Sequence, residues 1–162
     1  MSTASQSTKR SAHAWWLLAL FVLVVVGVGG AIGYANVPGA WYADLQKPSF
    51  NPPNWLFAPV WFTLYVLIAI AGWRTFLADR TGPAMIAWFG QMLLNWLWSP
   101  TWFGLHLLWP AFLVIAALWV FIVAFIGLSW RRGDRVSALL FAPYLLWVSF
   151  AALLNLSIAL LN

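Results

Sequence analysis

Few side chains in this sequence could do acid–base or metal chemistry. There is no cysteine, only two histidines (His13 and His106) and only three acids (Asp44, Asp79 and Asp134). That excludes thiolate sites and leaves no acid–base pair or metal-ligand cluster to read from spacing. What the chain has instead is 14 tryptophans, with amides and tyrosines set among them at helical intervals. Gln91, Asn95 and Trp98 lie four and three residues apart and so share one helix face. Trp61 and Tyr65 are one turn apart, and Tyr144, Trp147, Ala151 and Asn155 fall near one stripe. Such a set can stack a flat apolar molecule and offer it a few neutral hydrogen bonds. It can equally be glue, because Asn and Gln commonly hydrogen-bond across membrane helices. On residue types alone the two readings stand level.

The elements that position these residues are apolar. Of the 162 residues 64% are hydrophobic and 7% charged, where a soluble domain carries roughly a quarter charged residues. The expected fold is an all-α integral membrane protein. A flexible polar tail, residues 1–14, precedes a single membrane domain, 15–162. Five transmembrane helices are expected, at about 15–35, 54–77, 83–103, 109–130 and 136–161. The first run, from Trp15 to about Tyr34, is longer than the apolar core of a signal peptide and long enough to cross a bilayer. No charge falls between Thr81 and Trp130. Ser99-Pro100 and the Gly104–Pro110 stretch break that run into two spans, since proline suits a first turn and breaks a helix interior. Gly29 and Gly33 form a GxxxG pair on the first helix, a pattern that permits close packing within one copy or between two.

Charge sets the orientation. With five spans, seven of the eight Lys and Arg fall on the side of the N-terminus, and only Lys47 falls on the other. The positive-inside rule then puts the N-terminus inside and the C-terminus outside. The net charge of +5 is thereby accounted for without a nucleic-acid partner. A helical rise of about 1.5 Å per residue places Trp61 and Asn155 roughly 10 Å below the outer face, Asn95 roughly 13 Å and Trp147 roughly 22 Å. Three helices therefore bring aromatic and amide groups to similar depth in the outer half. Above them, on the outer side, lies the loop 36–53. The stretch Trp41–Trp61 is too proline-broken to span, with Pro48, Pro52, Pro53 and Pro59, and too aromatic for a bare connector. It reads as a lid.

The stretches WYADLQKPSFNPPNWLFAPVWFTLY, QMLLNWLWSP and APYLLWVSFAALLN resemble the TspO/MBR family of translocator proteins and tryptophan-rich sensory proteins. The matches lie in order over nearly the whole chain. The resemblance implies a five-helix bundle, usually a homodimer, with a cavity beneath the first loop that takes porphyrins and flat aromatic drugs, and in some members cholesterol. Carried over by motif, Trp41, Tyr42, Lys47, Pro48, Asn51 and Pro52 would form the lid. Trp61 and Tyr65, Asn95 and Trp98, and Trp147 and Ala151 would line three walls, with Gln91 on the same face as Asn95. Ser49 departs from several bacterial relatives, which carry an aromatic residue after the Lys-Pro pair. The sterol-type pattern of eukaryotic members is absent after Asn155.

The implied function is a receptor or sensor in a bacterial cell membrane, with porphyrin as ligand and no cofactor required. Light-dependent porphyrin degradation and transport of porphyrin- or sterol-like ligands are the alternatives. His13 and His106 fall near opposite membrane faces and are read as interfacial rather than haem-ligating.

Overall fold

A computed structural model of the chain describes residues 3–162, with side chains from Ala14 onward. Every regular element among the described residues is a helix. Helix α1 spans Thr3–Ala35. Its apolar, membrane-length part is Ala14–Ala35, but helical backbone starts earlier. Residues 3–14 continue α1, where the sequence reading has a flexible tail from residue 1; Met1 and Ser2 lie outside the described residues, as do the side chains of Lys9, Arg10 and His13.

The loop after α1 holds a short helix, α2, Ala40–Asp44. A 3₁₀ turn, Asn54–Leu56, then leads into α3, Phe57–Ala78. Helix α4, Pro83–Ser99, begins on its proline, where a missing N–H costs nothing. It does not stop at Ser99. A π-helical turn, Pro100–Gly104, widens the backbone and continues it, with Leu105 N–H donating to the Pro100 carbonyl at 2.8 Å. Helices α5, Leu108–Arg131, α6, Arg135–Leu140, and α7, Ala142–Leu161, complete the chain. The sequence reading made 136–161 one helix. The structure breaks it at Phe141, because Pro143 has no N–H to return to the Leu139 carbonyl.

Among the described residues, four segments are long and apolar enough to cross a membrane: Ala14–Ala35, Asn54–Ala78, Leu108–Arg131 and Arg135–Leu161. Helix α4 has 17 residues before its five-residue π turn.

Helix α1 packs on α3, α4 on α5, and α5 on α7. Glycine permits close approach between helices at Gly29, Gly72 and Gly90. A Cβ on Gly72 of α3 would collide with the Trp88 indole, whose Nε1 donates 3.0 Å to the Ile68 carbonyl. A Cβ on Gly29 of α1 would collide with the Tyr65 ring. That half of the GxxxG pair therefore serves packing within one copy, while Gly33 faces open space.

The opposite end of the bundle is closed by charge. Arg74 on α3 pairs with Asp134 at 2.9 Å, and Arg132 reaches the same carboxylate at 3.3 Å. Asp134 also caps α6 by accepting from the Ser137 N–H and hydroxyl. Burial alone would raise the Asp134 carboxyl. The hydrogen bonds from Ser137 and Arg74, with the charge of Arg74, outweigh it and hold the group at about 2.

Candidate ligand-binding site

A cavity of about 580 Å³ lies between α1, α3 and the α4–π-turn segment, within the size range of small-molecule pockets. Gly29, Gly30 and Gly33 open space in the α1 wall between Val26, Ile32 and Tyr34, and Phe57, Trp61 and Tyr65 project from α3. Asn95 and Trp98 come from α4, and Phe103 from the π turn. Trp61 packs against Tyr65 at 5.4 Å and Trp98 at 6.4 Å between ring centroids, so one side of the cavity is a continuous π surface. Tyr34, Val37 and Phe62, all exposed, stand at its rim. Among the described residues, no acid, histidine or basic residue lines it. The arrangement can stack a ring system and exchange neutral hydrogen bonds, and it offers no proton-transfer pair.

The amides and phenols behind that wall form a connected run. The Tyr65 hydroxyl donates to Asn95 Oδ1 at 3.2 Å. Asn95 Nδ2 donates to the Tyr144 hydroxyl at 2.8 Å, and Tyr144 donates to Gln91 Oε1 at 3.1 Å. Nearby, Trp98 Nε1 donates to Asn155 Oδ1 at 2.9 Å. The residues are thus both interhelical glue and, through Trp61, Tyr65, Asn95 and Trp98, cavity wall. Gln91 is fully buried at the far end of the run and does not line the cavity.

Trp147 and Ala151 on α7 also lie outside the lining. Trp147 is one ring away: it meets the cavity-lining Phe57 edge-on at 5.7 Å. Its Nε1 is buried and has no hydrogen-bond partner among the described residues, which costs about 1–3 kcal/mol for a buried donor.

The loop is held by contacts within itself and to the rest of the bundle. Trp41 stacks flat on His106, with centroids 4.2 Å apart and planes 17° apart. The Tyr42 hydroxyl, pushed up in pKa by burial, donates to Asn51 Oδ1 at 2.9 Å, and the Lys47 ammonium sits 4.9 Å above the Tyr42 ring. Asn51 Nδ2 reaches the carbonyl of Pro52. Asn162 clasps Gln46, accepting from its N–H at 2.9 Å and donating to its carbonyl at 3.0 Å. Trp41 and Tyr42 therefore rest against the π turn and Gln46 against the end of α7, and none of Trp41, Tyr42, Asn51 and Pro52 lines the cavity. Only the loop's ends reach it, at Asn36, Val37, Pro38 and Asn54. Tyr42, in the middle of the loop, meets the cavity-lining Phe103 edge-on at 5.4 Å.

Sequence reasoning missed the α1 wall and Phe57 and Phe103. The glycines were the available signal, since their lack of side chains makes room as well as contact.

A pattern describing the TspO/MBR family matches residues 18–161. This chain belongs to the TspO/MBR family. It is 42% identical over 151 residues to "Protein CrtK" of Rhodobacter capsulatus, covering 90% of this chain and 94% of that protein. It is 35% identical over 156 residues to "Tryptophan-rich protein TspO" of Chlorobaculum tepidum, covering 88% and 96%. To "Translocator protein" of Homo sapiens it is 33% identical over 148 residues, covering 86% and 87%. Membership agrees with the apolar helices: this is an integral membrane protein whose partner is the lipid bilayer, and its bacterial relatives accord with a bacterial membrane.

Proposed function

We propose that this TspO/MBR protein is a membrane receptor that binds porphyrins and similar flat hydrophobic molecules in the α1–α3–α4 cavity. The observation that carries this is the π surface of Trp61, Tyr65 and Trp98 facing about 580 Å³ of space. Stacking on such a surface favours large planar guests. Asn95 and Asn54 supply neutral polar contacts at its edges. The unpaired Trp147 N–H behind Phe57 is a donor that a guest carbonyl or carboxylate satisfies once the Phe57 ring turns aside. In this reading α4 and its π turn make the fifth span. The N-terminus is inside, the cavity lies in the outer half of the bilayer, and the protein works as a homodimer.

Protoporphyrin titrated into detergent-purified, folded protein is expected to quench tryptophan fluorescence saturably. Trp61→Ala is expected to weaken the binding about tenfold, in line with loss of one stacking partner worth about 1–1.5 kcal/mol. Linear, non-saturating quenching, identical for free tryptophan, would sink the proposal. Mass measurement of the protein–detergent complex tests the dimer, and labelling of single cysteines placed at residues 47 and 80 tests the orientation.

A further inference from the structure

The end of the bundle remote from the loop holds a second concavity, about 620 Å³, between the C-terminal end of α3 and the α5–α6 turn. Arg74, Arg132 and Arg135 line it, against one acid, Asp134. Three guanidinium groups and one carboxylate leave a net charge of two positive. The carboxylate does not face outward. Its side chain is 15% exposed, and both oxygens are occupied. Oδ1 accepts from Arg74 and the Ser137 N–H, and Oδ2 from Arg132 and the Ser137 hydroxyl. Asp134 thus works from beneath, fixing two guanidiniums in place. Arg74 is held further by Ser137 at 3.3 Å, and Arg132 by Thr75 at 2.8 Å. A guanidinium has five N–H donors, and these contacts use only Nε and Nη2 of Arg74 and Nη2 of Arg132. Arg135 lies over the Trp130 ring, 5.4 Å from its centroid.

The remaining lining is apolar: Trp73, Leu77, Ala78 and Val136. Leu77 and Val136 are 45% and 50% exposed. They stand at the ends of membrane-length segments, where the hydrocarbon gives way to headgroups. We propose that this concavity binds the phosphate of an anionic phospholipid, with the first methylenes of its chains on Leu77 and Val136. The preset guanidiniums suit phosphate oxygens, which accept charge-assisted, forked hydrogen bonds. The exposed aliphatic residues beside them favour a lipid over a free phosphate, for which they would be a useless apolar surface. Topology alone does not require this construction. Loop arginines anywhere would set orientation, whereas here the Arg132 side chain is only 25% exposed and is tied to its neighbours.

The test uses the full-length protein in neutral detergent, with dioleoyl phosphatidylglycerol and dioleoyl phosphatidylcholine as probes and native mass spectrometry as the readout. Phosphatidylglycerol is expected to be retained in preference to phosphatidylcholine. Arg132→Gln with Arg135→Gln should reduce its retention about fivefold for each charge removed, leaving phosphatidylcholine unchanged. Arg135→Gln alone keeps the Arg74–Asp134–Arg132 cluster and should show the single fivefold loss, so it decides the matter if the double variant does not fold. Equal retention of the two lipids, or unchanged retention in Arg135→Gln, overturns the proposal. Displacement of phosphatidylglycerol by millimolar inorganic phosphate also overturns it, in favour of a soluble phosphate site.

Discussion

The indole of Trp98 on α4 donates a 2.9 Å hydrogen bond to the side-chain oxygen of Asn155 on α7, and both residues are buried. This bond fixes the Trp98 ring between the cavity and the stacked ring of Trp102, 6.4 Å behind it. Asn155→Leu is expected to strand the indole N–H and cost about 1–3 kcal/mol, read as a fall in melting temperature. Trp98→Phe in that background removes the stranded donor. Stability of the double variant should exceed that of Asn155→Leu alone if the hydrogen bond, rather than local packing, is the cause.

Gly29→Ala puts a methyl group against the Tyr65 ring. Overpacking of this kind costs about 1–3 kcal/mol. It should also turn Tyr65 away from Asn95 and weaken protoporphyrin quenching. Adding Tyr65→Ala should restore the melting temperature without restoring affinity. If Gly29→Ala melts like the parent, the contact is softer than the packing implies.

The stack of Trp41 on His106 is expected to govern order in the loop. His106 has a left-handed backbone, φ 58°, which glycine adopts freely. His106→Gly therefore removes the stack while relieving the backbone. Hydrogen exchange across residues 39–51 should quicken, with the helices unchanged. An unaltered exchange pattern would leave the Asn162–Gln46 clasp as the main fastening.

Asp134 makes stability depend on pH in a defined window. Its folded value, about 2, lies below the ordinary 3.8. A depressed carboxylate contributes stability that is fully present above its ordinary value and is lost as pH falls through the folded one. Asp134→Asn should therefore lower the melting temperature at pH 7, with the gap to the parent narrowing from about pH 4 down to pH 2. A gap of constant size would assign the effect to the α6 cap instead.

The architecture was legible where chemistry varies along the chain. The charges of Arg74 and Arg80, and of Arg131 to Arg135, mark helix ends, and Pro83 marks a start within a residue. The 91–95–98 face was legible because amides are conspicuous in apolar helices, and its partners Tyr65, Tyr144 and Asn155 do meet it. The contribution of α1 was not. From Leu17 to Ile32 it is apolar all round, so no face announces itself as inward. The resting place of the loop was equally hidden, because it depends on pairs such as Gln46 with Asn162, 116 residues apart. The bend at Phe141 had a visible cause in Pro143, but a proline in a first turn and a proline at a bend look alike in sequence.

The run from Tyr65 through Asn95 and Tyr144 to Gln91 has a polarity, since every donor points the same way, away from the cavity. At its end Gln91 Nε2 is buried without a partner among the described residues. Amides present oxygen on one side and nitrogen on the other, and a hydroxyl can give or accept. Turning both amides over reverses the whole run, whereas turning only one leaves the Tyr144 hydroxyl between two acceptors or between two donors. The reversed setting replaces the stranded N–H of Gln91 with a carbonyl and turns the Tyr65 hydroxyl proton toward the cavity. On the proposed reading, an apolar guest would gain nothing from that setting, whereas a guest carrying a carbonyl or carboxylate would stabilise it. The four residues would then have two settings, told apart by amide and hydroxyl orientation, with the helices standing still.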